Sequence, residues 1–145
     1  MKLQVKRLHP DARLPIQATP GSAGYDLTAT HLERINETTW IYDIGLAIQI
    51  PYGYEGQLRA RSSIFKTGCY LANGVGTLDA DFTGPIRLIF IGPQQPYQVG
   101  DRIAQLIVSQ VANCNFEVVE ELASTSRGNG GFGSTGNGSL GYGKL

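Results

Sequence analysis

The sequence predicts an all-β domain, a sandwich or barrel of jelly-roll type, followed by a flexible C-terminal arm. Three observations predict it. Short β-rich runs recur along the chain while helical periodicity is almost absent. Turn chemistry punctuates those runs at close intervals, as in PGSAG, IPYGYEG, NGVG, FTGP and IGPQQPYQVGD. Eight of the 19 glycines fall between Gly128 and Gly143, where their backbone entropy opposes helix and strand alike.

The elements follow in order. Strands are expected over residues 3–7, 25–28, 39–42, 45–50, 57–60, 69–72, 86–91, 102–108 and 116–119. A helical turn is expected after Arg61, around 62–66. Residues 1–122 form the body and 123–145 the arm, with no internal repeat. Many short strands with little helix give a sandwich or barrel. Exposed sheet edges on so small a body favour a symmetric oligomer.

Composition narrows the function. The chain has 145 residues, enough for one domain with a core. Lys plus Arg equals Asp plus Glu at 12 each, which argues against a protein that coats nucleic acid. That balance still permits a pocket for one nucleotide. No run approaches the 18 or so apolar residues of a membrane span. No apolar stretch follows Lys2, Lys6 and Arg7, so no secretory signal is expected and the cytoplasm is the expected location. Cys69 and Cys114 read as buried thiols in a reducing compartment. His9 and His31 have no metal-ligand spacing and sit in turn-like context, which disfavours a Ser-His-Asp triad.

Five segments carry chemistry. PGSAGYDLTA (20–29) places Asp26 after a glycine turn. RARSSIFKTG (59–68) presents Arg61, Ser62 and Ser63 at a strand end, where free N–H groups of a helical turn would add to an anion site. ANGVGTLDADFTGPIRLIF (72–90) holds a hairpin signal and then Asp79 in apolar context, where a carboxylate could take a proton from water. GDRIAQLIV (100–108) sets Gln105 inside a buried-looking strand, where its amide needs partners. RGNGGFGSTG (127–136) joins a cation, an aromatic ring and hydroxyls on a glycine backbone suited to phosphates and a base. Each segment alone has an ordinary reading: a turn aspartate, a surface arginine beside a capping serine, a core-bracing glutamine or a plain linker. Together they hold the parts for binding a nucleoside polyphosphate.

In this order and spacing the five segments resemble the five motifs of the trimeric dUTP pyrophosphatase (dUTPase) family. The likeness runs from about Pro20 to Gly136 and includes GLAIQIPYGYEGQLRARSS. It implies a distorted jelly roll of the β-clip, dUTPase-like kind. It implies Mg2+-dependent hydrolysis of dUTP to dUMP and pyrophosphate, limiting uracil in DNA and supplying dUMP for dTMP synthesis. It also implies a homotrimer with sites at the subunit interfaces, each closed by an arm from another subunit, and no nucleic-acid or membrane partner. A viral source would move the location to the host cytoplasm or nucleus.

By the same resemblance, Asp79 is the catalytic aspartate. Asn73, Gly76, Thr77 and Leu78 line the uracil pocket. Arg61, Ser62 and Ser63 bind phosphate, and Gln105 lies near the α-phosphate and the water. Arg127, Gly133, Ser134 and Thr135 are arm contacts to the phosphates, while Phe132 covers uracil. Asp26 organises the metal's water shell or the arm, and Arg87 faces base or sugar. Two positions depart from the family pattern. Ser63 stands where glycine is usual, and Phe82 replaces a tyrosine whose ring packs under the deoxyribose and excludes a 2′-OH. The nine residues after Gly136 match no motif. A dCTP deaminase is similar in fold and shares Arg-Ser-Ser, but it needs a glutamate where this chain has Ile89. A non-catalytic relative is disfavoured by Asp79 and the complete arm.

Overall fold

A computed structural model describes residues 1–134. Among these residues ten strands form in chain order, all paired antiparallel. They are β1 (Gln4–Arg7), β2 (Tyr25–Thr28), β3 (His31–Asn36), β4 (Thr39–Asp43), β5 (Leu46–Gln49), β6 (Tyr54–Ala60), β7 (Tyr70–Leu71), β8 (Val75–Leu78), β9 (Arg87–Ile91) and β10 (Arg102–Gln110). Among the described residues one 3-10 helix, Ser62–Thr67, follows Arg61, where a helical turn was expected around 62–66. Two four-stranded sheets run β2-β10-β6-β8 and β3-β4-β9-β7, and β1 pairs with β5. Residues Met1–Asn113 make one compact unit, and a second begins at Cys114. Among the described residues no helix is long and apolar enough to cross a membrane.

Alternation explains the core. Along β4 and β9, Trp40, Tyr42, Leu88 and Phe90 point inward, while the residues between them are more exposed. With Leu27, Leu58, Ala104 and Leu106 of the other large sheet they form one apolar cluster. Tyr42, Phe90 and Tyr97 pack edge to face with centroids 5.4 to 6.3 Å apart. The Tyr42 hydroxyl donates to the Tyr97 carbonyl (2.7 Å) and accepts from the Tyr97 N–H (3.2 Å). This bond bolts the β9–β10 loop to the core. Tyr42→Phe keeps the packing but strips both loop groups of their partner, so it should cost about 1–3 kcal/mol. A lowered urea midpoint is the readout, and an unchanged midpoint would refute the bolt.

Four expectations need correction. No strand forms over 116–119. Phe116 and Val118 are 97% and 99% exposed, and β-propensity makes a strand only where a ladder partner is present. The Asn73–Gly74 turn does not close a paired hairpin: β7 pairs with β9 and β8 with β6, so the turn passes between sheets. Gly74 has φ +66, which opens that turn. β3 was not expected, because HLERIN alternates poorly and is largely exposed. Cys69 is buried as expected, but Cys114 is exposed, since it begins the second unit rather than lying in the core.

Candidate active site

The phosphate-type residues gather at one end of the β2-β10-β6 sheet. Asp26 on β2 and Gln105 on β10 are directly opposed, and Gln105 in turn faces Arg59 on β6. Directly opposed residues share a face of the sheet. Asp26 is only 9% exposed. Its Oδ1 lies 3.3 Å from the Arg61 Nε and its Oδ2 2.9 Å from the Arg102 Nη1. The Arg61 Nη1 also donates to the Arg102 carbonyl at 3.2 Å. A carboxylate this buried needs charged partners, and two arginines from sequence-distant segments supply them.

Arg61 therefore leaves β6 with its guanidinium held at the start of the 3-10 helix. Ser62 is exposed there and Ser63 half-buried. The Tyr97 hydroxyl is buried beside Ser63, without a hydrogen bond of good geometry. Burial pushes its pKa above the ordinary 10.0, with the Ser63 hydroxyl and the Arg61 charge pulling the other way, so the phenol is neutral at physiological pH. Gln105 donates from Nε2 to the Ala60 carbonyl at 3.3 Å, which fixes the amide's orientation.

The base-type residues lie elsewhere in the same unit. A pocket of about 240 Å³ is lined by Asn73, Gly76, Arg87 and Ile89, with Leu58 and Leu71 among its walls. Arg87 is anchored by Asp43, opposite it on β4, at 3.4 Å. Leu78 is buried, so only its main chain is open to a ligand, whereas Thr77 is exposed. Asp79 follows β8 and is exposed, and its carbonyl accepts from the Phe82 N–H at 3.1 Å. The Phe82 ring lies over Gly84, where a Cβ would stand 2.9 Å from Cζ.

One chain does not bring Asp79 to Gln105. The pairings put Gln105, Arg59 and Val75 in one row across β10, β6 and β8. Asp79 lies four residues beyond Val75. At about 3.4 Å per residue and 4.8 Å per strand, that separates the two by roughly 16 Å. A single water bridges about 6 Å.

The second unit holds the arm motif as successive turns. The Gly128 N–H is shared by the Thr125 carbonyl (3.1 Å) and hydroxyl (3.0 Å). The Arg127 Nε donates back to the Gly130 carbonyl at 2.9 Å, and the Ser134 N–H donates to Gly131 at 3.0 Å. Phe132 takes φ +48 between Gly131 and Gly133 and is fully exposed. Thr135 lies outside the described residues.

Sequence reading missed Arg102 and Tyr97. The available signal was the need of a buried aspartate for counter-charge, which does not select one arginine among several. For a metal, the described residues contain no cluster of three or more Asp, Glu, His or Cys.

The family model for dUTPase matches residues 11–136. Deoxyuridine 5'-triphosphate nucleotidohydrolase of Hydrogenobaculum sp. is 40% identical over 94% of this chain and 99% of its own length. Its counterpart from Syntrophotalea carbinolica is 43% identical over 92% and 96%. The solved dUTPase of Staphylococcus bacteriophage 80alpha with dUpNHpp is 25% identical and superposes with a TM-score of 0.80, covering 93% of this chain and 98% of that one.

Proposed function

The chain belongs to the dUTPase family and is a dUTP diphosphatase that hydrolyses dUTP to dUMP and pyrophosphate; from that premise we propose how its own residues divide the work. The observation that carries the reading is the separation of Asp79 from Gln105 within one chain, beside an arginine cluster and a base-sized pocket. The site is completed between subunits of a homotrimer. Asp79 of one subunit faces Gln105 and Arg61 of a second, and an exchanged arm closes over both.

Water held between Gln105 and Asp79 attacks the α-phosphorus in line. Asp79 takes the proton, the bond from the α-phosphorus to its bridging oxygen breaks, and pyrophosphate leaves with the charge. Arg61, Ser62 and Ser63, with Arg127, Gly133, Ser134 and Thr135 of the arm, hold the phosphates and offset that charge in a preorganised way. A magnesium ion on the triphosphate supplies further charge neutralisation when bound. Asp26 fixes Arg61 through the ion pair described above and would help to organise a bound magnesium ion's waters or the arm.

Asn73 and the main chain of Gly76, Thr77 and Leu78 read the N3–H and O4 of uracil, with Arg87 at the pocket wall. Cytosine reverses that donor pattern, and mismatched buried hydrogen bonds cost on the order of 10⁴-fold in selectivity. Phe132 covers the base. Phe82 walls the deoxyribose and keeps out a 2′-OH without the hydroxyl of a tyrosine. The enzyme works in the cytoplasm, or in the host cytoplasm or nucleus for a viral chain.

Pyrophosphate release from dUTP, dCTP, dTTP and UTP with magnesium tests the reading. Release from dUTP alone is expected. Ammonia release from dCTP would instead mark a deaminase. Comparable kcat/KM for UTP and dUTP would remove the role given to Phe82.

A further inference from the structure

Gly24 precedes β2 and shares a face with Asp26, two residues on. Because Asp26 is opposed to Gln105, Gly24 is a diagonal neighbour of that glutamine across the β2–β10 ladder. A Cβ at position 24 would stand 3.0 Å from both Cβ and Cδ of Gln105 and would intrude still further on its Oε1. The amide occupies the space a side chain would fill. Turning the amide away would break the 3.3 Å bond from its Nε2 to the Ala60 carbonyl on the far side, and the 3.0 Å approach to the Gln105 Cβ is not relieved by rotating the amide. Gly24 is absent from the residues with positive φ, so its backbone is open to any L residue. What requires glycine here is therefore the contact, not the conformation. Gly21, in the same PGSAG turn, has nothing within 4 Å of its own Cβ position.

We infer that Gly24 is a positioning residue for Gln105: its missing side chain is the seat in which the glutamine amide is held toward the reacting water. The inference rests on the role given to Gln105 above. It links the first motif to the fourth by packing rather than by ligand contact.

The test uses the full chain with dUTP and dUpNHpp. Gly24→Ala should lower kcat about tenfold or more, the size of effect produced by displacing a reacting group by an ångström. The dissociation constant for dUpNHpp should change by less than about twofold, within ordinary context effects. Gly21→Ala should keep wild-type kcat. In a Gln105→Ala background, Gly24→Ala should cost nothing further, because the two share one space. Full activity of Gly24→Ala beside an impaired Gln105→Ala overturns the inference alone. So does an additive loss in the double variant. A fully active Gln105→Ala overturns the water-holding role first, and the inference with it. If Gly24→Ala fails to fold, the double variant decides: removing the amide restores folding when the collision is the cause, and a double variant equally unfolded refutes it.

Discussion

Asp79→Asn will retain dUpNHpp binding while kcat falls by a factor on the order of 10² or more, as expected for loss of a general base. Asparagine keeps the size and one oxygen of the side chain but cannot take the proton from water. The position tolerates the change because Asp79 is exposed and its only described bond is made by its main chain. Steady-state kinetics beside calorimetric titration of dUpNHpp separates the two effects. Near-wild-type turnover would show that the proton leaves by another route. Loss of binding in step with turnover would make Asp79 a substrate anchor instead.

Removal of residues 126–145 should leave the body folded and lower kcat/KM on the order of 10³-fold. That deletion takes away Arg127, the Gly133–Ser134 backbone and the Phe132 cover together. A cation placed on a departing pyrophosphate is worth about 10³ or more in comparable phosphoryl transfers, and closure also keeps out bulk water. The body should be indifferent, since its core of Tyr42, Phe90, Leu88 and Leu106 lies wholly before Asn113. Circular-dichroism melting and dUTP turnover on the same preparation read both halves. A collapsed melting curve would make the arm a structural strap, and unaltered turnover would make it a spectator.

The sequence made most strands legible because their apolar residues are bounded by strong turn formers. β2 falls on the residues expected, and β4, β5, β9 and β10 differ only at their ends. β3 escaped because an edge strand with charged residues carries no hydrophobic alternation. Its Asn36 side chain nevertheless accepts from the Thr38 N–H at 2.9 Å, a turn signal that was there to read. Residues 116–119 show the converse, with strand-like composition and no ladder. In the site, local motifs were readable because each lies within one segment of about ten to twenty residues. The bond between Asp26 and Arg61 was not, because it joins segments that meet only once β2, β10 and β6 are laid side by side.

The row geometry of that sheet reaches beyond a single molecule. If four residues of strand keep the proton acceptor away from the water holder in every copy, then a dissociated chain is well folded and inert. Turnover becomes a matter of mass action, and enzyme dilution should extinguish it before any melting begins. In the trimer proposed above, two copies crippled in different places would lend each other the half they still possess. By the same proposal, a single defective copy mixed with sound ones should spoil more than its own share.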